Sequence, residues 1–218
     1  MLAAGAAAVS LAGAALAASA PSASAASFFP TPAIAVAGGN TVIATQTSED
    51  GLRFYWNLHG TNTWRGEQVA PDGTAFSAPT IAADGDGVVI AVEGPSNSLD
   101  FYWQQNYTSA WNVQPIAGAQ IFTPPSLTTN TDGFNTWVNV VVQGPSGRLY
   151  EYQAVNGGGS WELNIVTNDE IGASPATITE NDGSDNIAIF DVSGQLDLYW
   201  QDSNGAFHGE PAAAPGAN

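Results

Sequence analysis

The sequence predicts an all-β protein, a β-propeller of four blades of about 47 residues, each blade a four-stranded antiparallel sheet. Three observations predict it. Four segments carry one aromatic strand signature: Leu52-Arg53-Phe54-Tyr55-Trp56, Leu99-Asp100-Phe101-Tyr102-Trp103, Leu149-Tyr150-Glu151-Tyr152-Gln153 and Leu196-Asp197-Leu198-Tyr199-Trp200, with leucines 47, 50 and 47 residues apart. A second aromatic follows at a fixed distance, Trp64, Trp111 and Trp161 twelve residues after the leucine and Phe207 eleven after it in the fourth copy. A proline (Pro32, Pro79, Pro125, Pro175) precedes each leucine by about twenty residues and opens a short apolar run. A period of this length without helical periodicity is that of propeller blades.

The second copy shows the elements in order. Pro79 to Ala83 reads as the innermost strand, Asp84-Gly85-Asp86-Gly87 as a hairpin turn and Val88 to Glu93 as the next strand. Pro95 to Ser98 turns the chain, Leu99 to Gln104 forms the third strand, Asn106 to Ala110 a loop, and Trp111 to Ile116 the outer strand. Along the third strand Leu99, Phe101 and Trp103 face one side while Asp100, Tyr102 and Gln104 face the other. Aromatics on both faces suit a sheet covered by a neighbour on each side, and burying one such side chain is worth roughly 1.5 to 3 kcal/mol.

The repeats span about 28–72, 73–119, 120–168 and 169–213 of a propeller domain covering 26–218. Four blades are the low end for a closed propeller. The alternatives are a small closed ring, an open arc completed by self-association into a homo-oligomer, or part of a longer array. A terminal blade without a neighbour would expose a large apolar face, which favours self-association unless the ring closes.

Residues 2–20 form an uncharged Ala/Leu/Val stretch, and Ala23-Ser24-Ala25 supplies a small-residue cleavage site before Ala26. This reads as a secretory signal peptide over 1–25. The basic segment that normally opens such a signal is missing, which points to a start codon upstream of Met1. The expected mature protein is secreted and extracellular, with no membrane association after cleavage.

Composition narrows the function. Three arginines, no lysine and 20 acidic residues give a formal charge of −17, which repels phosphate backbones and anionic headgroups, so nucleic acid is not an expected partner. With no cysteine there is no disulfide framework, thiolate metal site or cysteine nucleophile. The two histidines, His59 and His208, are isolated, which leaves little material for a metal cluster or a triad.

The L-x-F-Y-W strand followed by a tryptophan strand at this period resembles the fucose-binding β-propeller lectins of fungi and bacteria and, more loosely, secreted actinobacterial propeller-repeat proteins. The resemblance spans Pro32 to about Glu210. It implies sugars held between adjacent blades by an arginine on the third strand, a glutamate on the fourth and an aromatic stacked on the sugar. Arg53 stands at the arginine position and Glu67, three residues past Trp64, near the glutamate position. The other copies have Asp100, Tyr150 and Asp197 at the first position and Gln114, Asn164 and Glu210 at the second, so at most one fucose-type pair is expected. The candidate ligand-binding residues are therefore Arg53, Trp64, Glu67, Trp111, Gln114, Trp161, Asn164 and Glu210, with an aromatic plane and nearby amides or carboxylates as the saccharide surface. For Trp56, Trp103 and Trp200 interblade packing is the plainer role, and for Arg53 with Glu67 an ordinary cross-strand ion pair.

The remaining motifs are weaker. Asp84-Gly85-Asp86-Gly87 resembles part of a calcium loop, but Gly38-Gly39-Asn40, Thr131-Asp132-Gly133 and Asn181-Asp182-Gly183 at the matching turns read as turn formers, and no metal or cofactor is expected. Asn106-Tyr107-Thr108 is a glycosylation sequon whose use the bacterial character of the signal and composition argues against. The stretch Thr131 to Trp137 resembles the Asp-box turn of sialidases, once and without an arginine cluster. The expectation is a secreted lectin-like propeller that binds carbohydrate without catalysis. A protein-interaction scaffold is the alternative, and a glycoside hydrolase with a carboxylate pair comes third.

Overall fold

In the computed structural model, residues 31–213 are described, apart from 59, 107–108, 132–133, 157–158 and 180–183. The signal-peptide segment, His59, part of the sequon and the turns at Asp132-Gly133 and Asn181 to Gly183 lie outside the described residues.

Among the described residues, sixteen strands form four separate antiparallel sheets, each a meander of four consecutive strands. Sheet 1 holds β1 (Ala33–Ala37), β2 (Asn40–Gln46), β3 (Leu52–Asn57) and β4 (Trp64–Ala70). Sheet 2 holds β5 (Thr80–Asp84), β6 (Gly87–Glu93), β7 (Ser98–Gln104) and β8 (Asn112–Gln120). Sheet 3 holds β9 (Ser126–Thr131), β10 (Thr136–Gln143), β11 (Arg148–Val155) and β12 (Glu162–Glu170). Sheet 4 holds β13 (Ala176–Thr179), β14 (Asp185–Phe190), β15 (Leu196–Gln201) and β16 (Phe207–Ala213). The four sheets are the four repeats, and they are propeller blades.

Local chemistry sets the turns. The β5–β6 hairpin pairs Asp84 with Gly87, Gly85 takes a positive φ of 59°, and a side chain at Gly87 would run into the carbonyl oxygen of Gln104. Between the second and third strands, Gly94-Pro95-Ser96-Asn97 and Gly144-Pro145-Ser146-Gly147 make the same tight turn, with Ser96 and Ser146 at φ 60° and 62°. The outer strand of sheet 2 extends to Gln120, beyond the expected Ile116, because a bulge between Ser98 and Asp100 lets the pairing resume at Gln120.

The first strands β1, β5, β9 and β13 lie beside one another in that order. Thr129 Oγ1 donates to Ala83 O at 2.6 Å and Thr177 N to Ser126 Oγ at 3.1 Å, tying sheet 3 to sheet 2 and sheet 4 to sheet 3. The chain is an arc rather than a closed ring of four. At its two ends Ile34 and Val36 on β1 are 68% and 67% exposed and Ile178 on β13 is 64% exposed, whereas Ile81 on the interior β5 is buried.

The core lies in the joints between blades. The joint of sheets 1 and 2 buries Leu52, Phe54, Trp56, Val42 and Ala44 against Val88, Ile90, Val92 and Tyr102. The joint of sheets 2 and 3 buries Leu99, Phe101, Val89 and Ala91 against Val138, Val140, Val142 and Tyr152. The alternation read from the third strand therefore assigns partners: the Leu99, Phe101, Trp103 face looks to the next blade and the Asp100, Tyr102, Gln104 face to the previous one. The joint of sheets 3 and 4 is different, with Val141, Leu149, Val166, Ile171, Ile187 and Ile189 as its buried members and no fully buried aromatic.

Candidate functional site

The first two joints are closed by one device. Trp111 stands edge-on to Phe54 with centroids 5.2 Å apart, Phe54 stacks on Trp56 at 5.4 Å, and Trp111 Nε1 donates to Glu67 Oε1 at 2.7 Å. Gln104 Nε2 donates to the same carboxylate oxygen at 3.1 Å. In the next joint Trp161 stands edge-on to Phe101 at 5.0 Å, Phe101 stacks on Trp103 at 5.8 Å, and Trp161 Nε1 donates to Gln114 Oε1 at 3.4 Å. Gln114 also exchanges hydrogen bonds with the backbone of Gly159, at 2.8 and 3.1 Å. Four of the expected sugar ligands, Glu67, Trp111, Gln114 and Trp161, are thus half-exposed or partly buried parts of blade-to-blade staples.

Arg53 and Glu67 are not brought together. Glu67 is the cross-strand partner of Phe54 and looks toward sheet 2, while Arg53 is paired with Gln68 and projects from the opposite face, where its guanidinium lies 5.9 Å from the Tyr55 ring centroid. Side chains alternate along a strand, so residues one register apart on a sheet cannot form one clamp. Trp64 shares that outward face and is 48% exposed. Glu210, the register partner of Leu198, lies on the far side of sheet 4.

The third joint breaks the pattern at every position. Glu151 replaces Phe54 and Phe101, Gln153 replaces Trp56 and Trp103, and Asn164 stands where Glu67 and Gln114 accept an indole N–H. Phe207, paired with Gln201 as Trp64 is with Asn57, fills the tryptophan position and has no N–H to offer. Asn164 Nδ2 donates instead to Glu151 Oε2 at 3.0 Å. Gln153 Nε2 donates to Asn139 Oδ1 at 2.9 Å and Asn139 Nδ2 to Thr179 Oγ1 at 3.4 Å, so a polar chain crosses the joint.

Beside this network, on the face that sheet 3 turns toward sheet 4, lies a cleft of about 470 Å3 lined by Trp137, Gln153, Ala154, Val155, Ser160 and Glu162. Its size is that of a small-ligand site. Gln153 is smaller than the tryptophan it replaces. The wall is Trp137, cross-strand partner of Val155, at a register held by Gly87 in sheet 2. Ser160 and Glu162 flank Trp161 in sequence and, by alternation, present to the cleft while the indole turns to sheet 2. With Nε2 of Gln153 engaged by Asn139, its Oε1, the Ser160 hydroxyl and the Glu162 carboxylate offer acceptors and a donor around an indole. A second cleft of about 340 Å3 is lined by Asp169, Gln195, Asp197, Tyr199, Gly209, Glu210 and Pro211, three of them acidic. Among the described residues no three His, Asp or Glu side chains gather as a metal site.

Trp137 and Gln153 were not among the expected ligands. The signal available in the sequence was their departure from the repeat: a tryptophan where the second copy has Gly87, and Glu151 and Gln153 where an aromatic pair recurs.

No family model matches the chain, and no curated protein does. Solved structures do. The BP39L lectin of Burkholderia pseudomallei superposes with a TM-score of 0.72 at 21% identity, over 87% of this chain and 57% of that one. AofleA of Arthrobotrys oligospora gives 0.65 at 16%, over 84% and 57%, and the fucose-specific Aleuria aurantia lectin, a six-bladed β-propeller, gives 0.62 at 14%, over 87% and 64%. The likeness is one of fold, as the repeats predicted, and the chain spans less than two thirds of the length of each.

Proposed function

We propose that the chain is a secreted, non-catalytic, lectin-like propeller that binds carbohydrate in the Trp137 cleft. The observation that carries the reading is this cleft, where one joint gives up the aromatic staple and leaves an indole wall ringed by Gln153, Ser160 and Glu162. An indole plane takes the apolar face of a pyranose, and fixed amide, hydroxyl and carboxylate groups select hydroxyl orientation. The fold likeness to lectins, one of them in complex with alpha-methyl-L-fucoside, supports the class and puts fucosides first in any panel. The test is a glycan array at high protein density, followed by titration of the best ligand against the chain and Trp137→Ala. We expect glycan binding that weakens about tenfold or more in the variant, about 1.4 kcal/mol. A flat array would put the protein-interaction scaffold ahead.

A second reading concerns assembly. The exposed Ile34 and Val36 at one end and Ile178 and Phe190 at the other favour pairing of the open faces between copies, a heterologous contact that would raise avidity for a glycan surface. Light scattering that gives a monomer at high concentration would remove it.

A further inference from the structure

Glu151 on β11 and Asp185 on β14 meet inside the third joint, and neither has any exposed surface. Two of their four carboxyl oxygens are accounted for. Glu151 Oε2 accepts from Asn164, and Asp185 Oδ1 accepts from Thr179 Oγ1 at 2.5 Å, the same hydroxyl that lies 3.2 Å from Thr128 Oγ1. Glu151 Oε1 and Asp185 Oδ2 are left, fully buried and with no hydrogen-bond partner. The two carboxyls act on each other electrostatically, and a proton held between them would satisfy both oxygens.

The pair is a register-matched exchange. Glu151 stands where sheets 1 and 2 place Phe54 and Phe101, and Asp185 stands where sheets 2 and 3 place Val88 and Val138, the residues those phenylalanines pack toward. Among the described residues no cation reaches it. Arg53 and Arg65 belong to sheet 1, Arg148 alternates onto the face of sheet 3 turned to sheet 2, and His208 is on the far face of sheet 4, bound to Asp202. The titratable groups that face the pair from the packed elements are Tyr199 on β15 and, toward the cleft, Glu162 on β12; Asp197 lies one register beyond Tyr199. All are neutral or negative, so the joint has only a proton with which to balance its charge.

We propose that Glu151 and Asp185 form a proton-sharing clasp that seats the fourth blade on the third, and that removing this proton releases the fourth blade. Burial, followed by the Asp185 carboxyl beside it, pushes the Glu151 carboxyl up to about 8, and burial raises Asp185 as well. The sign follows from these directions. The seated joint holds a proton that the released one gives up above about pH 4.5, so seating is strongest in acid and weakens as pH rises to about 8, where the seated form also ionises and the change levels off. Gln153, bonded through Asn139 to Thr179, ties the wall of the cleft to the same clasp.

Hydrogen exchange of the full chain tests this, with amides of β14 and β15 compared with those of β2 and β3 after correction for intrinsic rates. Between pH 5 and 8 the fourth-blade amides should lose about tenfold in protection per pH unit relative to the first blade. Glu151→Gln keeps a neutral hydrogen-bonding group facing Asp185 and should flatten that slope. Should that variant fail to fold, the pair Glu151→Phe with Asp185→Val restores the chemistry of the other joints and should flatten it too. A wild-type slope of zero, equal losses in both blades, or an unchanged slope in the variant that folds would each overturn the proposal.

Discussion

Trp111 and Glu67 are 44 residues apart in sequence and 2.7 Å apart in space, and the bond between them closes the joint of the first two blades. Its counterpart, Trp161 to Gln114 at 3.4 Å, has a neutral acceptor and a longer reach. Trp111→Phe should therefore cost about 1.5 kcal/mol and Trp161→Phe about 0.5 kcal/mol, because a hydrogen bond to a charged group is worth more than a neutral one. Urea unfolding of the two variants checks the order, and equal losses would contradict it.

Phe101 is fully buried between Trp103 and Trp161, whereas Leu198 at the same register in the fourth blade faces the open end of the arc. Phe101→Ala should destabilise by about 3 to 5 kcal/mol, the cost of a core cavity, and Leu198→Ala by about 1 kcal/mol or less. Thermal melts of both variants separate a covered face from an open one.

Two glycines of a single hairpin should respond differently. A methyl group at Gly85 meets nothing within 4 Å and carries only the strain of φ 59°, while one at Gly87 collides with the main chain at Gln104. Gly85→Ala should cost about 1 to 2 kcal/mol, the penalty of a left-handed alanine, and Gly87→Ala should prevent normal pairing of β6 with β7. Expression and near-ultraviolet circular dichroism of the two variants make the comparison.

Tyr102 should be the last tyrosine to ionise. Burial in the first joint, with the charge of Asp100 beside it and against a hydrogen bond from Thr74, pushes its phenol up to about 12. Its seated form holds a proton that the unfolded chain releases above about 10, so stability present below that pH is lost between about 10 and 12. Ultraviolet titration curves of the wild type and Tyr102→Phe should coincide below about pH 11, the wild type gaining one further tyrosinate only above it. One extra tyrosinate in the wild type below that pH would contradict a late Tyr102.

The fold was legible because propeller packing writes itself into the chain with a period. The leucine of the third strand and, in the first two copies, the aromatic two residues on reach into the next blade, while the tryptophan of the second and third outer strands reaches back to the previous one, so they recur at fixed spacing. Strand ends were less legible where a bulge, as at Ser98 to Asp100, offsets register without any compositional mark. The site was hidden for a different reason. Arg53 and Glu67 lie close along the paired strands, and their separation is one residue of register: Glu67 pairs with Phe54 and Arg53 with Gln68, which puts the two on opposite faces. Phe207, one residue early, is a true counterpart of Trp111 and Trp161 because a shorter loop feeds β16. Trp137 departs from the repeat, so periodicity passed over it.

The acid pair of the third joint makes the blades poor modules for shuffling. A third blade copied in front of the second would aim Glu151 at Val88, and a fourth blade copied behind the second would aim Asp185 at Phe101; either graft strands a lone carboxyl in a dry seam. Glu151 and Asp185 are therefore bound to travel together, and a chimera of this chain should be cut on the outer side of both blades, never between them.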